Sequence, residues 1–247
     1  MRALPVPSPP LKDPCNLLPP SLFPGMTDIA IVDYGMGNLR SVSKALEHVA
    51  PGVSIAVTDD PELVRQAGRV VVPGQGAMPD CLHELDARGL REAVRDAAMN
   101  KPFLGICIGL QMLLESSEEG NVSGLGIIPG KVVRFPSTMA EDGDGRKLKV
   151  PHMGWNQVHQ TSTHPLWKGI SQDARFYFVH SYYVVVSSPA PIAAYSRYPF
   201  PFTCAVAKDN IFAVQFHPEK SQEAGLTLLK NFVQWKPFPE MQDRVPT

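Results

Sequence analysis

The sequence predicts an α/β fold with a mainly parallel sheet and a strand-rich C-terminal half. As far as Leu114, short apolar runs alternate with amphipathic helical segments, which is the pattern of parallel strands covered by helices on both faces. After Gly126 the pattern changes to strand-like segments separated by turns. The chain has 247 residues, of which 44% are hydrophobic, so it can bury the core of one sizeable domain.

In the first half, four runs are predicted to be strands: Ile29–Val32, Val53–Thr58, Arg69–Val72 and Phe103–Ile106. The third and fourth of these are expected to be buried. Asn38 is a plausible N-cap for the first helix, and Pro61 suits the first turn of the second. One further helix is expected to carry Leu82, Leu85, Leu90 and Val94. Another is expected to follow Cys107 and to carry Leu110, Leu113 and Leu114.

The second half is expected to be strand-rich and to end in one helix. The predicted strands are 130–135, 156–160, 176–186, 203–207 and 211–216, and the closing helix is 222–235. The polar, acidic stretch 137–147 is expected to form an exposed loop.

The first 26 residues differ from the rest, because eight of the 25 prolines fall within the first 24 positions. Proline lacks an amide proton and fixes φ, so this stretch cannot hold a helix. It also lacks the apolar core of a secretory signal. We expect residues 1–26 to be a disordered Pro-rich extension, or a leader upstream of a start at Met26, and residues 27–247 to be the domain.

Composition excludes several classes of protein. The 23 Lys and Arg residues nearly balance the 24 Asp and Glu residues, so the basic excess of a nucleic-acid binder is missing. Apolar runs such as Phe103–Ile108 are far shorter than the roughly 20 residues that span a bilayer. Four scattered cysteines do not form a disulfide framework. We therefore expect a soluble, cytoplasmic protein that binds neither nucleic acid nor membrane.

Cys107 lies where a buried strand passes into a helix, within Gly105-Ile-Cys-Ile-Gly109. The serine version of this pattern is the nucleophile elbow, in which flanking glycines permit a sharp turn. Amides at the start of a helix favour a thiolate and can hold a developing oxyanion. A buried structural cysteine gives the same pentapeptide, so Cys107 becomes a candidate nucleophile only together with a base.

His217 is the candidate base, because it follows the apolar strand 211–216 at its carboxyl end. In an extended segment His217 and Glu219 share a face, which suits a base and the carboxylate that orients it. Ligands of parallel sheets bind at the carboxyl ends of strands, where Cys107 and His217 would both lie. Pro73-Gly-Gln-Gly76 ends a strand at the same edge, and its backbone amides could complete an oxyanion hole.

Residue spacing argues against two other kinds of site, a dinucleotide-binding site and a metal site. Gly35-Met-Gly37 lacks the third glycine of a dinucleotide fingerprint, because that position is Arg40. Cys81 and His83 have no second pair of metal-ligand type. We expect no metal and no cofactor.

With Cys107, His217 and Glu219 in place, the chain from Met26 to about Trp235 resembles the class I, triad-type glutamine amidotransferases. Longer segments are similar to the glutaminase subunits of imidazole glycerol phosphate synthases, which serve histidine biosynthesis. The segments are Asp33-Tyr-Gly-Met-Gly-Asn-Leu-Arg-Ser-Val42, Pro151-His-Met-Gly-Trp-Asn156, Val179-His-Ser-Tyr-Tyr183 and Gln215-Phe-His-Pro-Glu-Lys-Ser221. The resemblance implies a flavodoxin-like domain. Gln75 stands where the family more often has valine, but backbone donors need no particular side chain.

The resemblance also implies roles for individual residues. The Cys107 thiolate would attack the glutamine side-chain amide, with His217 moving the proton and Glu219 orienting His217. Amides of Ile108 and of Gly74, Gln75 and Gly76 would hold the oxyanion. The glutamine-binding residues would be Gln111, His180, Ser181 and Tyr182. Six residues would face a partner: Pro151, His152, Met153, Gly154, Trp155 and Asn156.

The implied partner is a (β/α)8-barrel cyclase subunit, forming a heterodimer and using the ammonia to make imidazole glycerol phosphate. Two other functions stay open: an amidotransferase that serves another acceptor, and a non-catalytic scaffold that only binds a partner. A cysteine peptidase is a more distant alternative, because nothing in the sequence resembles a peptide-binding cleft.

Overall fold

A sheet of five parallel strands forms the base of the molecule in the computed structural model, which describes residues 27–136 and 148–238. Four of these strands come from the first half of the chain: β1 (Ile29–Val32), β2 (Ile55–Thr58), β3 (Arg69–Gly74) and β4 (Phe103–Cys107). The fifth, β14 (Ile211–Val214), pairs with β4 and gives the order β2-β1-β3-β4-β14. Every residue of β1, β4 and β14 is buried, as expected for strands covered on both faces.

Helices connect the parallel strands. They are α1 (Leu39–Val49), α2 (Pro61–Gln66), α3 (Met78–Ala87), α4 (Arg91–Asn100), α5 (Ile108–Gln111) and the closing α6 (Gln222–Gln234). Helix α1 packs beside α6, whereas α2 packs beside α4. Pro61 opens α2 behind the side-chain cap of Asp60, as its sequence position predicts. Asn38 occupies the N-cap position of α1, but its side chain makes no capping hydrogen bond.

The second half extends the sheet with mainly antiparallel strands. They are β5 (Leu114–Ser117), β6 (Val122–Ser123), β7 (Ile128–Arg134), β9 (His159–Gln160), β11 (Tyr182–Val186), β12 (Ile192–Arg197) and β13 (Pro201–Lys208). Beyond β14 the order continues β13-β11-β7-β5-β6, and β12 pairs with β13 and with β9. Strands β8 (His152–Gln157) and β10 (Arg175–His180) form a separate antiparallel pair, called the ribbon below.

The helix predicted to carry Leu82 through Val94 is two helices, α3 and α4. Gly89 lies between them with φ +66°, a backbone conformation that residues with a side chain rarely adopt. The helix after Cys107 was predicted too long, because α5 ends at Gln111 and Leu114 begins β5. A short apolar run is compatible with either a strand or a helix. The segment that begins at Leu114 forms a strand because it pairs with β7.

The segment 176–186, predicted as one strand, is divided at Ser181 into β10 and β11. The two halves join different sheets, since β10 pairs with β8 and β11 pairs with β7 and β13. The predicted extension 1–26 and loop 137–147 lie outside the described residues. Of the helices in the described ranges, none is long and apolar enough to cross a bilayer.

Candidate active site

The turn that carries Cys107 is sharply bent. Cys107 ends β4 and immediately precedes α5, with φ 56° and ψ −105°. A non-glycine residue in this region of backbone space is uncommon and costs of order 1–3 kcal/mol, so the surrounding structure must hold it there. The geometry is that expected of a nucleophile elbow.

The two glycines of the turn are required by close packing. A Cβ on Gly109 would lie 1.9 Å from the carbonyl oxygen of Val72, in the neighbouring strand β3. A Cβ on Gly105 would lie 2.7 Å from the carbonyl oxygen of Gly109. These approaches let α5 start directly against the sheet, and they place Cys107 at its carboxyl edge.

His217 reaches the same edge from β14. Val214 pairs with Ile106 in the parallel register, so the chain beyond β14 emerges beside Cys107. A short 3-10 helix, Pro218–Lys220, turns Glu219 back so that its Oε1 lies 2.8 Å from Nδ1 of His217. The side chains of His217 and Glu219 are only 4% and 1% exposed, so the pair is held away from water.

The charge environment of His217 favours the imidazolium form. Burial alone would lower the pKa of His217, but the Cys107 sulfur and the Glu219 carboxylate outweigh it and raise that pKa to about 10. Nδ1 faces Glu219, whereas Nε2 is buried and has no hydrogen-bond partner among the described residues. Nε2 is therefore the nitrogen available to exchange a proton at the cavity.

Two further side chains hold this pair in place. Ser221 Oγ donates to the carbonyl oxygen of His217 at 2.6 Å and accepts from the amide of Tyr177 at 3.0 Å. Gln215 is fully buried, and its Nε2 donates to the Cys107 sulfur over 3.6 Å. Sequence reasoning gave Gln215 no role, although a position two residues before His217 in an extended segment would place those two side chains on one face. Glu219 does not continue this alternation as predicted, because it lies in the 3-10 helix.

The Pro73–Gly76 turn lies against the nucleophile. Gly74 pairs with Cys107 in the register of β3 and β4, and a Cβ on Gly74 would lie 2.5 Å from the Ile108 Cβ. Tyr34 Oη donates to the carbonyl oxygen of Pro73 at 2.6 Å. The Cys81 thiol approaches the carbonyl oxygen of Gln75 at 3.6 Å. Ile108 and the Gly74–Gly76 turn, whose amides are the predicted oxyanion donors, are therefore adjacent.

A cavity of about 250 Å³ joins these groups. Nine of the predicted catalytic, oxyanion and glutamine-binding residues line it: Gln75, Gly76, Cys107, Ile108, Gln111, His180, Ser181, Tyr182 and His217. Pro151 and Val179 add to its wall. Glu119 also lines it, and its carboxylate accepts from the Met78 amide at 2.7 Å. Sequence reasoning missed Glu119, and no local pattern distinguishes it from the neighbouring Glu118.

Gln111 is buried beside the nucleophile. Its Nε2 donates to the carbonyl oxygen of Tyr182 at 3.3 Å and to Oε1 of Gln215 at 3.1 Å. Its Oε1 has no partner among the described residues. An unpaired acceptor in a buried side chain is costly, so a ligand that donates to it would be favoured.

Five of the six residues predicted to face a partner lie in β8 of the ribbon, whereas Pro151 precedes β8 and lines the cavity. Met153 and Trp155 point outward, with 62% and 38% exposure, and Trp155 packs edge-to-face with Tyr177. His152 is only 3% exposed, because its position in β8 turns it inward. The expectation that this segment faces a partner therefore does not extend to the His152 side chain.

Other features that could indicate a site lie away from the carboxyl edge of the parallel strands. A larger surface depression of about 590 Å³, lined by His164 and Lys168 among others, contains none of the predicted site residues. Within the described ranges, no group of three His, Cys, Asp or Glu side chains is placed to hold a metal ion. Cys204 is fully buried in β13.

The chain belongs to the class-I glutamine amidotransferases, since the model of that family matches residues 30–235. Relatives narrow this assignment to the HisH group. A protein of Nitrosospira multiformis, "Imidazole glycerol phosphate synthase subunit HisH", is 77% identical over 86% of this chain and all of its own length. A protein of the same name from Thiobacillus denitrificans is 67% identical over 85% of this chain and 92% of its own.

A solved structure shares the fold. The structure of PurLQS from Thermotoga maritima superposes with a TM-score of 0.63 at 17% identity, covering 83% of this chain and 97% of the matched one. This likeness supports the α/β architecture and the mainly parallel central sheet.

Proposed function

We propose that this chain hydrolyses glutamine to glutamate and ammonia through a Cys107–His217–Glu219 triad in the cytoplasm. It then delivers the ammonia to a (β/α)8-barrel cyclase subunit of imidazole glycerol phosphate synthase, with which it forms a heterodimer. One observation carries the chemistry: the strained turn of Cys107 opens into the same cavity as a histidine whose Nδ1 contacts Glu219. The names of the HisH relatives support the pathway and the existence of a partner subunit.

In the first half of the reaction, the Cys107 thiolate attacks the side-chain amide carbon of glutamine. The oxyanion that forms accepts hydrogen bonds from the Ile108 amide and from amides of the Gly74–Gly76 turn. The imidazolium of His217 gives its Nε2 proton to the amide nitrogen, and ammonia leaves as a thioester forms on Cys107. The raised pKa of His217 keeps that proton available at neutral pH.

In the second half, neutral His217 takes a proton from water, and the hydroxide attacks the thioester carbon. The tetrahedral intermediate collapses, glutamate is released, and the thiolate and imidazolium are regenerated. Glu219 keeps a proton on Nδ1 throughout, so Nε2 remains the nitrogen that exchanges protons.

The remainder of the cavity suits the polar end of glutamine. The Glu119 carboxylate provides a negative group for the α-ammonium, and Oε1 of Gln111 provides an unpaired acceptor. His180, Ser181 and Tyr182 also line the cavity. These contacts would fix the substrate with its side-chain amide toward Cys107.

The outward face of the ribbon is the proposed docking surface for the cyclase. Met153 and Trp155 lie two residues apart on this face, whereas the other exposed large apolar side chains of the described residues lie on separate elements. Clustered exposed apolar residues are typical of protein interfaces. Docking here would bring the partner to one wall of the glutamine cavity.

The domain itself is proposed to span residues 27–247, with residues 1–26 as an extension. The family match over residues 30–235 supports a domain that begins close to residue 27.

The test is glutamate release by the purified chain, first by itself and then with the cyclase subunit plus its nucleotide substrate. We expect slow hydrolysis by the chain itself and a sharp rise with the liganded cyclase. Cys107→Ala should lose hydrolysis but keep complex formation, and Cys204→Ala is the matched cysteine control. Fast hydrolysis whose rate does not change when the cyclase is added would contradict the assignment of the cyclase as partner. No hydrolysis under either condition would leave only a scaffold.

A further inference from the structure

His152 and His180 face each other across the ribbon. They are register partners of β8 and β10, and His152 Nδ1 lies 2.9 Å from His180 Nε2. Both side chains are buried. The His152 ring stacks on Phe178 and on Tyr198, with ring centroids 4.9 Å and 4.1 Å apart. Neither histidine belongs to the triad, so their close pairing requires another explanation.

The hydrogen bonds assign a proton to each ring. A carbonyl oxygen can only accept, so the 2.7 Å contact between His180 Nδ1 and the Tyr182 carbonyl oxygen requires an N–H on Nδ1. In a neutral ring His180 Nε2 must then accept, and His152 Nδ1 must be the donor. His152 Nε2 in turn accepts from Asn156 Nδ2 at 3.2 Å.

Two neighbouring contacts support this direction. The Asn156 amide is oriented by Nδ2 donating to the Arg197 carbonyl oxygen at 2.9 Å and by Oδ1 accepting from the Gln157 amide at 2.8 Å. Burial lowers the pKa of His152 to about 4 and that of His180 to about 3, so both rings are neutral at pH 7. Every polar atom of the chain Asn156–His152–His180–Tyr182 then has one consistent role.

The chain of hydrogen bonds ends at the glutamine cavity. The Tyr182 carbonyl oxygen accepts from His180 and also from Gln111, which in turn contacts Gln215 beside the Cys107 sulfur. At its other end the chain starts on β8, whose opposite face carries Met153 and Trp155. The ribbon therefore joins the proposed docking surface to the glutamine-binding wall within one pair of strands.

We infer that His152 is a positioning residue for glutamine, acting through its Nδ1–H to His180 and so fixing the His180–Tyr182 wall of the cavity. The inference rests on the proposed glutaminase function. It differs from a partner-contact role, because the His152 side chain points into the protein.

The kinetic test uses the full chain in complex with the cyclase. His152→Phe keeps a ring between Phe178 and Tyr198 but leaves His180 Nε2 without its donor. We expect KM for glutamine to rise about tenfold, as for a buried acceptor left unpaired, with kcat within about threefold. His152→Asn retains an N–H near the position of Nδ1 and should restore most of the wild-type KM. His164→Phe, the same change at a histidine outside the cavity, is the control.

A spectroscopic test uses the wild-type chain, so its outcome does not depend on whether a variant folds. In the full wild-type chain, ¹⁵N NMR of the imidazole nitrogens should show both His152 and His180 as neutral Nδ1–H tautomers at pH 7. An Nε2–H tautomer at either ring, or an unchanged KM in folded His152→Phe, would overturn the inference. If the wild-type chain hydrolysed no glutamine even in complex with the liganded cyclase, the proposed function would fail instead, and the tautomers would still report on the hydrogen-bond chain.

Discussion

Gly109→Ala adds only one methyl group, but we expect it to lower the rate of glutamine hydrolysis strongly. The new Cβ would lie 1.9 Å from the Val72 carbonyl oxygen, where real Cβ atoms essentially never approach closer than 3.0 Å. Both atoms belong to the backbone framework, so no rotamer can relieve the contact and α5 must move from β3 by about 1 Å. We expect overpacking to cost about 1–3 kcal/mol, against a gain of at most about 1 kcal/mol from the better helix propensity of alanine.

The displacement acts directly on the turn that holds Cys107. A misplacement of about 1 Å in reacting groups can cost about 100-fold in rate, so kcat for glutamine hydrolysis in the cyclase complex should fall by that order. The melting temperature should fall by only a few degrees, about 2–4 °C per kcal/mol for a chain of this size.

Gly52→Ala is the control for stability alone. Gly52 has φ +87° with nothing within 4 Å of a built Cβ, and it precedes β2 at the opposite end of the sheet. A side chain there costs about 1–2 kcal/mol of backbone strain without touching the site. A folded Gly109→Ala variant with wild-type kcat would refute the argument that this close approach sets the nucleophile.

Three other changes test the electrostatics and the supports of the site. Because the pKa of His217 is raised to about 10, the stabilisation from its protonated form is fully present below about pH 6.5 and is lost as the pH rises toward 10. Urea unfolding at pH 7 and at pH 9.5 should therefore show a larger loss for the wild type than for Cys107→Ala; equal losses would contradict the coupling. Gln215→Leu removes the donor to the Cys107 sulfur, so kcat for glutamine hydrolysis should drop about tenfold. An unchanged kcat in the folded variant would count against a role for that hydrogen bond. Ser221→Ala removes the hydroxyl that joins His217 to Tyr177, and chemical denaturation should show a loss of about 1–3 kcal/mol, compared with almost none for the exposed control Ser188→Ala.

The parts of the fold that local patterns determine were predictable from sequence. The four N-terminal strands follow from apolar runs closed by turn residues, and the closing helix was predicted to within one residue of its observed end at Gln234. The turn at Cys107 was predictable because its glycines mark it. The division of α3 from α4 was not, because a glycine inside a helical pattern is usually tolerated.

The parts that depend on long-range pairing could not be predicted. Glu119 enters the cavity because β5 leaves the nucleophile in a direction that pairing with β7 sets. Likewise, His152 and His180 meet only through the register of the ribbon, and no spacing along the chain encodes that contact. The triad roles, the oxyanion donors and the glutamine contacts stay predictions until the assays above are made.

The alternation of the ribbon has a consequence for how this segment can change during evolution. Neighbouring positions of β8 point to opposite sides, so inserting or deleting one residue would bury Met153 and Trp155 and expose His152. Substitutions can adjust one face at a time, whereas a change of length would exchange both faces together. We therefore expect natural variation in this segment to consist of replacements at fixed length, while insertions and deletions collect in the connections between elements.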